Sequence, residues 1–155
     1  MSINLVEVED AVVAAIQADA TLGTILKTIA PYEGQLEEEL GRIPHLFPAV
    51  FVFIRDTAYR ERTNREEDAD LTITLIVASQ SLRGQLAARR ETDSGVYAIL
   101  KGLYRVLTPA SLLVASVPDF PLMTLSQEVA VLTTKAMCVY EAQYRVEGIL
   151  VPLGQ

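Results

Sequence analysis

Two apolar segments separated by a strongly charged one restrict the fold of this chain more than any other feature. Residues 49–54 (AVFVFI) are apolar at every position, which is typical of a central strand buried on both faces. Residues 71–78 (LTITLIVA) place apolar side chains at alternate positions, the period of a strand. Residues 55–70 between them carry four arginines and six acidic residues, which no core can hold. The pattern predicts an antiparallel hairpin whose charged residues 55–70 form a long loop or flap.

Helical periodicity appears before and after this hairpin. A stripe of apolar residues predicts a helix within the first twenty positions, with Ser2 or Asn4 as its cap. A second stripe predicts a helix over residues 96–107, with Asp93 or Ser94 as its cap. Two helices of this length are enough to cover one face of a small sheet.

The remaining segments predict further strands. Residues 25–30 are short and apolar and end at Pro31, which predicts a short strand or an extended link, and residues 122–133 have a mixed pattern that indicates partly extended chain. Residues 138–147 alternate between apolar and polar, which is typical of an antiparallel strand with one buried face. Since helices and strands do not alternate regularly, we predict an α+β fold. The expected architecture is one mostly antiparallel or mixed sheet of four to five strands, with two main helices packed on one face.

Composition and charge narrow the class of protein. The 155 residues are 50% hydrophobic and 21% charged, which predicts one globular domain over residues 1–155. A net charge of −7 repels phosphates, so we expect no sequence-specific nucleic-acid partner, although DNA can pass nearby without binding. The acidic start MSINLVEVED does not resemble a signal peptide, and no apolar run reaches the ~18 residues of a membrane span. We therefore expect synthesis in the cytoplasm and no membrane partner.

Residue types that usually carry catalysis are few. His45 is the only histidine, so a triad or a histidine metal site lacks a second imidazole. Cys138 is the only cysteine and falls on the apolar face of the last predicted strand, where a thiol is inert. Glu37, Glu38 and Glu39 would point about 100° apart on a helix and do not converge on a metal. We expect no enzyme activity, no cofactor and no metal site.

The segment SLRGQLAARRETDSG, residues 81–95, leads from a predicted strand into the second helix. A strand, a basic loop with a glycine and a helix also build many phosphate sites, but neither glycine-rich phosphate motif is present. Arg83, Arg89 and Arg90 can bind an anion together with the N–H groups of a helix start, although two nearby acidic side chains oppose it. Subunit contacts explain these arginines better, and an anion- or nucleotide-binding domain is the alternative.

Four segments taken in order resemble the Mu-like phage and prophage tail-protein family assigned as tail terminators. They are PYEGQL, PAVFVFIRDT, LTITLIVASQSLRGQLAARR and GVYAILKGLYRVL, so the resemblance runs from the first helix to about Leu107. Its most specific part is a strand that ends near S-L-R-G, followed by one or two further arginines and by G-V-Y-A-I-L opening a helix. The carboxy-terminal third matches in pattern only.

The resemblance implies a structural virion protein without catalytic activity, built on a small sheet with helices. Such proteins form a ring, usually a hexamer, which caps the tail tube, ends tail polymerisation and forms the junction to the capsid neck. In a contractile tail the ring also meets the sheath. The implied partners are other copies of the chain, the tube protein, the sheath protein and the neck or connector protein, and the implied location is the virion tail. Another head–tail joining or neck protein of the same virion is the alternative.

Charge suggests where such a ring makes its contacts. A ring needs heterologous contacts, in which one patch meets a different patch on the next copy. We expect the charged flap to reach across this joint, and the basic loop to meet acids such as the three consecutive glutamates. The candidate subunit-interface residues are Arg55, Tyr59, Arg60, Arg62, Arg65, Arg83, Arg89, Arg90, Glu37, Glu38 and Glu39.

Overall fold

The computed structural model describes residues 3–32, 47–63, 66–81, 84–92, 94–109, 112–117, 119–133 and 137–152, with the backbone alone at 62, 63, 66, 85 and 152. Four helices and five strands lie in these residues. In chain order they are α1 (Leu5–Ala18), α2 (Ala20–Ile25), β1 (Thr28–Pro31), β2 (Ala49–Thr63), β3 (Glu66–Gln80), α3 (Gln85–Arg90), α4 (Val96–Leu107), β4 (Thr124–Thr133) and β5 (Met137–Pro152).

The start of the chain folds as its caps predict. The Asn4 side chain accepts a hydrogen bond from the backbone N–H of Glu7 at 3.4 Å, which confirms Asn4 as the cap of α1. Asp19 ends α1 and caps the next helix, because its carboxylate accepts from the N–H of Leu22 at 2.9 Å. This second helix, α2, is an addition to the predicted elements.

Helix α4 confirms the second apolar stripe. Its buried residues are Val96, Ile99, Leu100, Leu103 and Leu107. The predicted cap was wrong for Ser94, because Gly95 occupies the cap position and makes no side-chain hydrogen bond. Asp93 lies outside the described residues. The short helix α3 stands where the sequence indicated only a basic loop.

The five strands form one sheet in the order β1-β2-β3-β5-β4. β1 pairs with β2 in parallel, and the other three pairs are antiparallel. The predicted α+β class is confirmed, as are the predicted strands near residues 25–30, 122–133 and 138–147. None of the helices in the described ranges is long and apolar enough to cross a membrane.

The predicted charged loop or flap was wrong. β2 and β3 continue through the charged segment and remain paired as far as Thr63 and Glu66. The register of the pair shifts at two points, between Ile54 and Asp56 and between Glu61 and Thr63. The end of β5 joins them, since Ile149 pairs with Ala69, and both side chains are fully buried. Arg60 stands opposite Asp68, which favours pairing, although Glu61 stands opposite Glu67. The high density of charge therefore belongs to a solvated ribbon of strands and not to a loop.

Apolar side chains cover both faces of the sheet. The large core cluster combines the stripes of α1 and α4 with alternate residues of β3, such as Ile73, Leu75 and Val77. We call this face the helix side and the opposite face the far side. A smaller cluster lies on the far side and consists of Phe47, Ala49, Phe51, Ile76, Ala78, Met137 and Val139.

Candidate assembly surface

We call the charged ribbon the end of the sheet formed by residues 55–63, 66–70 and 148–152. Arg60 and Asp70 form an ion pair across its strands, with 3.1 Å between Nη2 and Oδ2. The Oδ1 atom of Asp70 also accepts from the N–H of Gly148 at 3.0 Å, which fixes β5 to the ribbon. Gly148 has a φ of +72°, a left-handed conformation that glycine adopts without strain. These contacts hold the ribbon as an ordered projection.

The predicted residues on the ribbon have different environments. Arg55 is exposed, and Arg60 is exposed but committed to Asp70. Tyr59 lies on the helix side opposite the buried Ala69, yet its side chain is 42% exposed. A half-exposed tyrosine is a feature that protein interfaces favour. The side chain of Arg62, and Arg65 as a whole, lie outside the described residues.

The basic segment after β3 is less free to bind an anion than its sequence indicates. Arg89 is half-buried on α3, and its guanidinium carbon lies 5.8 Å from the centre of the Tyr97 ring, which is a cation–π contact. Its Nε is buried and has no hydrogen-bond partner in the described part of the chain. The Tyr97 hydroxyl lies 3.3 Å from that of Tyr140, and this hydrogen bond raises the pKa of Tyr140. Arg89 thus has a contact within its own chain, whereas Arg90 is exposed, and the prediction that both residues contact another subunit stays a prediction.

The two groups of predicted residues lie at opposite ends of the sheet. The ribbon is at one end of β3 and the α3 segment follows the other end. The pairing of β2 with β3 places Arg55 level with Thr72 and Ile73, so roughly 25 Å of β3, at the rise of a strand, separates it from the end that leads to α3. Arg55 and Arg90 of one copy therefore do not share a site. Glu37, Glu38, Glu39, Arg83 and His45 lie outside the described residues.

The outer edge of β4 is a surface that the predicted site lacked. β4 pairs with β5 on one side only, and the described residues provide no strand on its other side. Most of its side chains are exposed on both faces, including Val129 at 43% and Val131 at 54%. Natural sheets usually protect such an edge with lysine, proline or a covering loop. The only charged residue in β4 is Glu128, so this edge is weakly protected.

A groove runs along the helix side of this edge, between β4 and α4. Its volume is about 340 Å³, and its lining is mainly aromatic and aliphatic. The lining residues are Tyr97, Leu100, Lys101, Tyr104, Leu125 and Glu128. Tyr97 and Tyr104 lie on the exposed side of α4, seven residues apart. This helical spacing is the sequence signal from which the surface could have been predicted.

Metal-ligating and nucleophilic side chains have the following surroundings in the described residues. They contain no group of three or more His, Cys, Asp or Glu side chains close enough to hold a metal ion. Cys138 is buried, and burial raises the pKa of its thiol although Arg89 lowers it in part. A neutral buried thiol is a poor nucleophile.

Comparisons with known proteins agree with this description. The sequence matches the family model described as "Bacteriophage Mu, Gp37" over residues 4–147. A search of curated proteins gives no match. Among solved structures, a chain of the "Virion of native gene transfer agent (GTA) particle" superposes with a TM-score of 0.68 at 14% sequence identity. The superposition covers 96% of this chain and 99% of that chain, so the two share a fold over nearly their whole lengths.

Proposed function

The chain belongs to the bacteriophage Mu Gp37 family, and from this premise we propose that it is a structural protein of a phage virion that caps the tail tube as a ring. Family membership over residues 4–147 is the observation that carries the proposal. The fold shared with a chain of a gene transfer agent virion supports it, because that particle is itself a virion. The ring ends tail polymerisation, joins the capsid neck and has no catalytic activity.

A ring can end polymerisation because its two faces differ. Tail tubes grow by adding identical layers, each of which offers the next layer the same surface. A cap binds that surface with one face and presents a different face, so no further layer fits. Heterologous contacts between copies close the ring when their rotation returns to the start. We propose a hexamer, with the tube protein on one face, the neck or connector protein on the other and the sheath protein outside.

The separation of the charged groups supports heterologous contacts. Arg55 on the ribbon and Arg90 after β3 are both exposed, and roughly 25 Å of strand separates Arg55 from the end of β3 that leads to Arg90. Each is free to meet a different element of a neighbour. Charges at the rim of an interface set register and partner choice more than affinity. We propose both residues as contacts of this kind.

The net charge supports a role around DNA without binding it. At −7, the chain repels phosphates, and a ring of several copies repels them more strongly. DNA that leaves the capsid through the ring then slides without being held. No sequence-specific nucleic-acid partner belongs to the proposal.

Assembly with and without the protein tests the proposal. Tails assembled in its absence are expected to be over-long or to fail to join heads, as measured by negative-stain microscopy. The mass of the purified chain, alone and mixed with tube protein, reports whether a ring forms before or upon capping. Tails of normal length that join heads without the protein would contradict the proposal. Tails of normal length that remain separate from heads would favour the neck-protein alternative.

A further inference from the structure

The sheet has a free edge on each side. On one side lies the outer edge of β4 described above. On the other side, β1 covers β2 only as far as Val52, so the described residues leave β2 unpaired from Phe53 to the end of the ribbon. Unpaired backbone donors and acceptors at an edge can add a strand from another chain. One copy thus carries two complementary edges, as a head-to-tail ring requires.

The strand directions of these two edges are suited to each other. Each step from β2 to β3, β5 and β4 is antiparallel, so β4 runs opposite to β2. If the next copy continues the sheet with its faces in the same orientation, its β2 runs antiparallel to β4. Antiparallel pairing is the more stable form per residue.

The direction of the backbone groups also agrees. Val52 accepts from the N–H of Tyr32 at 2.9 Å, so its carbonyl points out of β2. The hydrogen-bonding pattern of an antiparallel ladder alternates from residue to residue. The pairs Tyr59–Ala69, Leu75–Ala142 and Ala142–Glu128 carry this alternation from β2 through β3 and β5 to β4. The backbone groups of Tyr59 then point away from β3, and those of Glu128 point away from β5. The two residues can therefore exchange backbone hydrogen bonds.

The side chains of this pair face a common space. Tyr59 lies on the helix side, since it pairs with Ala69 of the core cluster. Glu128 lies on the same side, since it lines the groove between β4 and α4. Tyr59 of a second copy, opposite Glu128, would enter this groove beside Tyr97 and Tyr104. Aromatic side chains that fill pockets supply much of the energy of protein interfaces.

We infer that β4 of one copy pairs antiparallel with β2 of a second copy, with Tyr59 opposite Glu128 and Ala58 opposite Val129. The inference rests on the proposed ring and names the contact that closes it. The occupant of the edge and of the groove is the second copy of this chain.

The displacement of neighbouring copies along the strands, set by the Tyr59–Glu128 pair, gives a strand tilt that suits a closed ring. Glu128 is level with Leu75 of β3 through Ala142, and Tyr59 is level with Ala69. Neighbouring copies are therefore displaced by six residues along the strands, or about 20 Å. Each copy contributes four strand spacings of ~4.8 Å, or about 19 Å. The strands then tilt by about 45° from the ring axis, close to the ~35–45° of closed β-barrels.

Cysteine cross-linking tests this contact. Full-length chain carrying Ala58→Cys and Val129→Cys is assembled with tail tube protein, oxidised and separated on a denaturing gel without reductant. Both positions are exposed, whereas native Cys138 is buried. A ladder of linked copies is expected, because Cα atoms of directly opposite residues in an antiparallel pair lie about 4.5–5.5 Å apart. This distance is within the range that a disulfide spans. Ala58→Cys combined with Ala130→Cys is the matched control and is expected to give no ladder, since Ala130 faces the helix side.

A charge at the edge gives a second measurement. Val129→Lys is expected to reduce the fraction of chain in rings at least tenfold, whereas Val6→Lys, at a 64% exposed position on α1, leaves it unchanged. Equal ring fractions for the two variants, or a ladder absent from Ala58–Val129, overturn the pairing. Tail length in the same preparations separates the two claims. Tails capped at normal length without a ladder overturn the pairing alone, and wild-type tails that grow over-long overturn the capping function.

Discussion

Gly95 is the cap residue of α4 and lies five residues after the end of α3. Its replacement by alanine tests how closely the end of α3 approaches the start of α4. A Cβ atom at this position would lie 2.5 Å from the backbone N and 2.6 Å from the backbone O of Glu91. It would also lie 2.9 Å from the carbonyl oxygen of Arg89. All three atoms belong to backbone, so no side-chain rotation relieves the contact. The cost is one of space alone, because the φ of −73° suits any residue.

Relief of this contact requires a backbone shift. The shift would disturb the hydrogen bond from Gly95 N–H to the Glu91 carbonyl, which measures 3.1 Å. Loss of that bond costs about 1 kcal/mol, and overpacking adds about 1–3 kcal/mol. We expect Gly95→Ala to lower the free energy of unfolding by roughly 2–4 kcal/mol.

Urea denaturation measures the effect. With a slope near ~2 kcal/mol per molar urea, the midpoint is expected to fall by about 1–2 M at unchanged slope. Gly148→Ala is the matched control, because nothing lies within 4 Å of its added Cβ and only its φ of +72° is strained. That strain costs about 1–2 kcal/mol. A midpoint for Gly95→Ala that equals wild type would refute the close approach of the two helices.

Two further predictions concern stability. The hydrogen bonds from Arg105 lower the pKa of Asp19. The ionised Asp19 carboxylate therefore contributes its full stabilisation above the unfolded pKa of about 4, and this contribution disappears as the pH falls through the folded pKa. Asp19→Asn should lose less unfolding free energy than wild type between pH 6 and pH 3, and equal losses would contradict the role of the ion pair. Leu103 is fully buried in α4, so Leu103→Ala should cost about 2–5 kcal/mol in the same urea assay, whereas Tyr104→Ala, at a 51% exposed position, should cost far less.

Much of the fold follows from periodicity in the sequence. The stripe of α4 was predicted residue by residue, because a helix buried on one side repeats its apolar positions every three or four residues. The centre of the hairpin was predicted for a similar reason, since Ile73, Leu75 and Val77 alternate with residues of the other face. The cap Asn4 was predictable because its hydrogen bond is local. Signals of this kind depend on a few neighbouring positions.

The short helices and the charged ribbon were not predicted because tertiary context determines them. The six residues of α3 are too few to show a helical period, and α2 follows α1 with a single residue, Asp19, between them. The ribbon has charges that indicate a loop when read along the chain. Its strand character depends on partners distant in sequence, such as Asp70, Gly148 and Ile149. The cation–π contact of Arg89 with Tyr97 of the same chain was also not indicated by the sequence, and the predicted subunit contact of Arg89 stays a prediction.

The proposed strand pairing gives a physical reason why the strand character of β4 and of the ribbon is hard to predict from the sequence. A strand shows period-2 alternation when one of its faces is buried within its own chain. Val129, Val131 and Tyr59 are each exposed by about two fifths or more in one copy. In the proposed pairing a second copy completes their burial, so their apolar and aromatic character would serve an environment that one chain does not contain. On this reasoning, strands with apolar residues but no alternation are the places to seek contacts between copies.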